Sequence, residues 1–138
     1  TVILATKLGR HIIPDVERFT DLELIVHHAK RYGVRPRIGV RAKPSSQGSG
    51  RWESSGGMRS KFGLTVSEML HALEFLKKHD MADCLNMIHF HIGSQVGDIR
   101  NIKAAVNELS HIYVELKKIG AGLATLAVLQ FLGAWNEL

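Results

Sequence analysis

Hydrophobic and polar residues follow two spacings along the chain, and these spacings predict strands that alternate with helices. Strands are predicted at residues 11–16, 36–42 and 85–91. A loop and then a helical pattern follow each of them, which is typical of βα units in a parallel sheet. In the second strand Ile38, Val40 and Ala42 share one face, while Arg37, Gly39, Arg41 and Lys43 share the other. This pattern favours a barrel wall with helices on its outer face and a polar inner face.

Capping signals mark the predicted helices. Thr20 to Glu23 and Thr65 to Glu68 each match a capping box, in which a Thr and a Glu three residues later satisfy free amides. The third helix is predicted to begin at Asp98 and to end before Gly120. Its predicted apolar stripe consists of Ile99, Ile102, Val106, Leu109, Tyr113 and Leu116.

The number of βα units limits the architecture. A closed eight-stranded barrel needs about 250 residues, and this chain has 138. The sequence therefore predicts an α/β fold, either as a partial (β/α)8 TIM-type barrel with parallel strands or as a small open sheet whose edges are covered.

Charge and composition add one candidate surface. Seven of the 18 Lys and Arg residues fall in residues 35–61, where Glu53 is the only acid. The Gly/Ser-rich loop at residues 43–61 also contains Trp52, and we interpret it as a binding loop. The basic patch of residues 35–61 could bind nucleic acid or another anion, including a phosphate-bearing cofactor, or it could be a solvated basic loop. No apolar run has the length of a membrane span, and the single Cys84 makes the cytoplasm the default compartment.

The end of the third strand carries the candidate chemistry. His89 and His91 lie on the same face, because side chains in a strand alternate. Zinc fits poorly, since Cys84 has the wrong parity and too few other ligands lie nearby. Gly93 permits close backbone approach and Ser94 offers a hydroxyl just before the helix start, an arrangement suited to an anion. The alternative is that one or both histidines are hydrogen-bonded residues of the interior.

A longer pattern resembles a known family. The loop of residues 42–64 reads AKPSSQGSGRWESSGGMRSKFGL and is flanked by GVRPRIGVR at 33–41 and by IHFHIGSQ at 88–95. Together these segments closely resemble the bacterial biosynthetic arginine decarboxylases, and the likeness extends to about Gly122. Residues 1–122 are therefore predicted to be a segment of a pyridoxal-phosphate-binding (β/α)8 barrel, and residues 123–138 a divergent tail.

The resemblance implies an alanine-racemase-like barrel, a second β domain and a homo-oligomer. It also implies pyridoxal 5'-phosphate as cofactor, Mg2+ as a further requirement, and conversion of L-arginine to agmatine and carbon dioxide for polyamine synthesis. By the same resemblance His91 would lie against the cofactor ring and Ser94 would contact its phosphate, with Gly93 in the same turn. No catalytic or metal-binding role is carried over to any residue of this chain.

The sequence also departs from the family. The family's Schiff-base lysine would precede Thr1, and the glycine-rich phosphate loop is missing where residues 122–138 stand. We therefore expect the isolated chain to be inactive and not to retain the cofactor. Two alternatives stay open: a non-catalytic anion- or nucleic-acid-binding α/β module that uses residues 35–61, and an inactive interaction subunit that covers its sheet edges with a partner.

Overall fold

The computed structural model describes residues 1–43, 63–91 and 99–129. Most of the predicted binding loop, the turn with Gly93 and Ser94, the predicted helix start at Asp98 and the end of the predicted tail lie outside these residues.

One parallel sheet organises the described residues. Its strands are β1 (Asp15–Val16), β2 (Ile38–Ala42), β3 (Leu85–His91) and β4 (Thr125–Leu129), which lie side by side in this order. Within the described part of the chain, β1 and β4 each have one neighbour, so the sheet is open. The predicted α/β class with parallel strands is confirmed. The domain boundary at residue 122 stays a prediction, and β4 lies beyond it.

The strand bounds differ from the predicted ones where proline intervenes. β3 has the predicted bounds, and β2 begins two residues later than predicted. The prediction of a strand at 11–16 is wrong over 11–14, because β1 contains only Asp15 and Val16. Pro14 has no N–H to donate to a ladder, although its carbonyl accepts a hydrogen bond of 2.8 Å from the Gly39 N–H.

Four α-helices accompany the sheet. They are α1 (Val2–Lys7), α2 (Phe19–Tyr32), α3 (Val66–Lys78) and α4 (Ile99–Lys118), and a 3-10 turn at Ala82–Cys84 leads into β3. The short helix α1 was not predicted from the sequence. Because β-α-β crossovers in one sheet share a hand, the helices between successive strands lie on the same face.

The helix ends confirm some of the predicted signals and correct others. Thr65 caps α3: its hydroxyl accepts from the Glu68 N–H at 3.2 Å, and Glu68 accepts from the Thr65 N–H at 3.2 Å. The box predicted at Thr20 is wrong, because α2 begins earlier and the Asp21 carboxylate accepts from the Arg18 N–H. Gly33 ends α2 in the left-handed conformation, with φ 63°.

The core fills the space between the helices and one face of the sheet. From the sheet it takes Val16, Ile38, Val40, Ala42, Ile88 and Phe90, and from the helices mainly Leu, Met, Val and Ala residues. The predicted stripe of α4 is confirmed at Leu109 and Leu116, which are buried, and at Ile102 and Tyr113, which pack partly buried against the core. It is wrong at Ile99 and Val106, which are 78% and 37% exposed, and it missed the buried Ala105 and Ile112.

A backbone bridge joins the end of β2 to the residues just before α3. The Lys43 N–H donates to the Leu64 carbonyl at 2.8 Å, and the Leu64 N–H donates to the Arg41 carbonyl at 2.7 Å. Ala42 and Leu64 form the corresponding parallel bridge. Leu64 is 1% exposed, so this junction belongs to the core.

Candidate cofactor site

Polar side chains gather on the face of the sheet opposite the core. They are Asp15 of β1, Glu17 just after β1, Arg41 of β2, and His89 and His91 of β3. We call these five residues the inner polar cluster. In the register of the sheet Arg41 lies beside His89, and His91 is the last residue of its strand. The cluster therefore occupies the carboxyl ends of the strands, where α/β folds place their ligands.

His91 is a half-buried imidazole at the outer end of this cluster. Burial lowers its pKa from the ordinary 6.5, and the charges of Arg41 and His89 lower the pKa further, while Glu17 opposes the shift. The ring is therefore neutral at neutral pH. A neutral imidazole can pack flat against an aromatic ligand without the cost of desolvating a charge.

His89 lies deeper on the same face and is 8% exposed. Its Nδ1 contacts a carboxylate oxygen of Asp15. The His89 and His91 rings stand edge to face, with their centroids 6.4 Å apart. His89 thus matches the alternative interpretation, a hydrogen-bonded histidine of the interior, whereas His91 lies at the rim.

Arg41 and Glu17 form the second ion pair of the cluster. The Arg41 Nη1 lies 3.0 Å from Glu17 Oε1, and the two side chains are 16% and 36% exposed. The ion pair ties the guanidinium of β2 to the residue that follows β1. Sequence reasoning placed Arg41 on the polar face but missed Asp15 and Glu17. The signal in the sequence was that the polar Asp15 and Glu17 alternate with the apolar Val16, which places both of them on one face of a strand.

Two buried polar atoms of the cluster have no hydrogen-bond partner among the described residues. They are Nε2 of His89 and Oδ1 of Asp15. Buried polar atoms are usually hydrogen-bonded, and exceptions concentrate at functional sites. The inner face thus has unused hydrogen-bonding capacity beside a neutral imidazole, which fits a polar aromatic ligand.

The contacts of the other two predicted site residues are not described by the structure. Gly93 and Ser94 follow β3 but lie outside the described residues. Within residues 1–43, 63–91 and 99–129 no group of three or more His, Cys, Asp or Glu side chains could hold a metal ion. In the same ranges, none of the helices combines the length and the apolar character needed to cross a bilayer.

Comparison with known proteins gives a consistent assignment. The sequence profile described as "Pyridoxal-dependent decarboxylase, pyridoxal binding domain" matches residues 5–129. The biosynthetic arginine decarboxylase of Rhodopirellula baltica is 53% identical over 126 residues, which are 91% of this chain and 19% of that protein. The protein of the same name from Phocaeicola vulgatus is 57% identical over 118 residues, or 86% of this chain and 19% of the relative. The chain thus spans about a fifth of the length of these relatives.

Solved structures agree with the sequence comparison. The crystal structure of the biosynthetic arginine decarboxylase from Campylobacter jejuni covers 91% of this chain with 20% of its own, at TM-score 0.75 and 34% identity. Diaminopimelate decarboxylase from Helicobacter pylori, complexed with L-lysine, covers 91% of this chain with 32% of its own, at TM-score 0.77 and 29% identity. The predicted resemblance and barrel-type architecture are confirmed. The chain belongs to the pyridoxal-dependent decarboxylases and represents part of their pyridoxal binding domain.

Proposed function

We propose that this chain forms part of the cofactor site of a pyridoxal-phosphate-dependent arginine decarboxylase. The observation that carries the proposal is the position of His91 at the carboxyl end of β3 in a chain of this family. The lowered pKa of its imidazole supports the proposal. Relatives that are 53% and 57% identical to this chain bear the name biosynthetic arginine decarboxylase. L-arginine is therefore the proposed substrate, and agmatine and carbon dioxide are the proposed products.

In this proposal the residues of the chain hold and orient the cofactor. His91 would lie against the pyridine ring, while Gly93 and Ser94 would bind the phosphate in the turn that follows β3. Arg41 lowers the pKa of His91, and Glu17 pairs with the Arg41 guanidinium. Pyridoxal phosphate, when bound, withdraws the electrons released as the carboxylate of the amino acid departs.

The remaining family properties stay proposals. We propose a homo-oligomer and a Mg2+ requirement of the whole enzyme from the family resemblance, and a cytoplasmic location from the single cysteine, Cys84. The described residues offer no group of three or more acids, histidines or cysteines for that ion, so its ligands would come from elsewhere.

The nucleic-acid alternative loses support from the described part of the basic segment. Arg35 pairs with Asp83 and donates to the Asp80 carbonyl, and Arg41 pairs with Glu17. Two of its cations are thus neutralised within the fold, and phosphate binding would have to compete with these pairs. No observation favours the interaction-subunit alternative over the cofactor site.

Binding of pyridoxine 5'-phosphate tests the proposal. This compound has the ring and phosphate of the cofactor but no aldehyde, so it cannot react with surface lysines. Its titration into the labelled chain, followed by NMR, should shift the ring resonances of His91, whereas inorganic phosphate alone should not. His91→Gln should weaken binding by about two- to tenfold, the value of a ring contact, and the exposed control His111→Gln should not. Because we expect the chain not to retain the cofactor without the Schiff-base lysine, the titration measures weak, reversible binding at high ligand concentration. Equal binding by wild type and His91→Gln, or no binding even at high ligand concentration, would overturn the proposal.

A further inference from the structure

The Asp15–His89 contact crosses an intervening strand. Asp15 is on β1 and His89 on β3, with β2 between them. Two strand spacings amount to about 10 Å, so the contact requires a gap above the middle strand. Gly39 supplies this gap: it lies beside Asp15 on one side and Met87 on the other.

The geometry at Gly39 makes the gap specific. A Cβ atom at this position would lie 2.6 Å from Met87 Cε, 3.3 Å from Ile13 Cγ2 and 3.4 Å from Asp15 Oδ1. A larger side chain would therefore occupy the volume through which the carboxylate reaches His89. The sequence pattern of β2, with Gly39 between the long side chains of Arg37 and Arg41, thus permits a contact between its two neighbours.

The contact fixes the state of the His89 ring. A carboxylate can only accept hydrogen bonds, so the Nδ1 atom that faces Asp15 carries the hydrogen. The ring can then neither flip nor exchange its two nitrogens without losing this bond. His91 stands edge to face against this fixed ring, with 6.4 Å between centroids.

We propose that Asp15 and His89 form a positioning pair that holds the His91 ring in the orientation needed to receive the cofactor. This inference rests on the proposed function and extends it to two residues that act through the orientation of the His91 ring. Of the groups facing the histidines, Asp15 and Glu17 come from the β1 edge, Arg41 from β2, and His89 from the strand of His91 itself. Asp15 is the member of this set that contacts the His89 ring.

Ring resonances of the labelled 138-residue chain test the pair in the absence of ligand. In the wild type, the 15N shifts should report a hydrogen on Nδ1 of His89, and ring protons of His89 and His91 should show mutual NOEs. Asp15→Asn should weaken the Nδ1 preference, because an amide can present a donor as well as an acceptor to the ring, and it should reduce the NOEs at least twofold. Asp83→Asn removes a carboxylate from the distant Arg35 pair and should change neither signal.

Ligand affinity provides the second measurement. Asp15→Asn should weaken pyridoxine 5'-phosphate by about two- to tenfold, because a ring that is free to rotate must be ordered on binding. Gly39→Val should act in the same direction without removing an ionisable group. If the wild type lacks the Nδ1 hydrogen, or if Asp15→Asn leaves the NOEs unchanged, the positioning role is refuted even where the ligand binds. Intact NOE effects without any ligand binding would instead refute the proposed function alone.

Discussion

Gly122 offers a sharp test of the packing between the α4–β4 connection and the turn before β3. A Cβ atom at this position would lie 2.3 Å from the Asp83 carbonyl oxygen and 2.9 Å from its Cα. These are backbone atoms, which cannot swing aside as the end of a side chain can. The Gly122 N–H also donates to the Ala82 carbonyl at 3.3 Å. Gly122→Ala must therefore push two backbone segments apart by about 1 Å.

The expected cost follows from three contributions. Overpacking costs about 1–3 kcal/mol, and a weakened hydrogen bond costs about 0.5–1.5 kcal/mol. The lower chain entropy of alanine in the unfolded state returns about 0.4–1 kcal/mol. We expect a net loss of about 2 kcal/mol in the free energy of unfolding, which lowers the urea midpoint by about 1 M for a slope near 2 kcal/mol/M.

Urea unfolding followed by circular dichroism measures this loss. Gly33→Ala is the matched control, because Gly33 has φ 63° and no atom within 4 Å of a built Cβ. It tests the cost of the left-handed conformation without a clash, about 1 kcal/mol or less after the entropy gain. A Gly122→Ala midpoint equal to that of the wild type would refute the close approach to Asp83.

Three further predictions concern the helix cap, the core and pH. Thr65→Ala should lower the free energy of unfolding by about 1 kcal/mol, because it removes the N-cap of α3. Thr20→Ala should have almost no effect, because Arg18 and not Thr20 is the N-cap of α2. Equal losses for the two variants would contradict this assignment of the caps. Phe90→Ala should cost about 3–5 kcal/mol in the same assay, since the ring is 0% exposed, while Val114→Ala at 47% exposure should cost less than about 0.5 kcal/mol. The pKa of His91 in the folded chain lies below its ordinary value of 6.5, so the imidazole is protonated at a higher pH in the unfolded chain than in the folded chain. As pH falls through 6.5, the free energy of unfolding therefore decreases, until the pKa of the folded state is passed. His91→Gln should therefore gain stability relative to wild type between pH 8 and pH 5, and a constant difference in unfolding free energy would contradict the shift.

Local patterns predicted the elements whose ends are set by their own residues. β3 has the predicted bounds, and Thr65 and Gly33 act as the predicted cap and stop. The start of α2 was mispredicted because the sequence offers two possible caps, Arg18 and Thr20. Each is followed three residues later by an acidic residue, Asp21 or Glu23. In the structure α2 begins at Phe19 and the Arg18–Asp21 pair is the one formed.

The candidate site was predicted along one strand but not across strands. Alternation placed His89 and His91 on one face, and the family resemblance singled out His91. The contact between Asp15 and His89 joins residues 74 positions apart, and it depends on an unoccupied volume above Gly39. Spacing along a chain carries no information on such a gap, so the pairing became visible only with the register of three strands.

The backbone bridge between Ala42 and Leu64 has a consequence for changes in the length of the segment between these two residues. The described backbone on the two sides of residues 44–62 is joined at a hydrogen-bonded bridge formed by Arg41, Lys43 and Leu64. With both ends fixed, each doubling of the length between them adds only about 0.6 kcal/mol of closure entropy. Insertions, deletions and new recognition sequences can therefore be tried there, while the strands on either side keep their alignment.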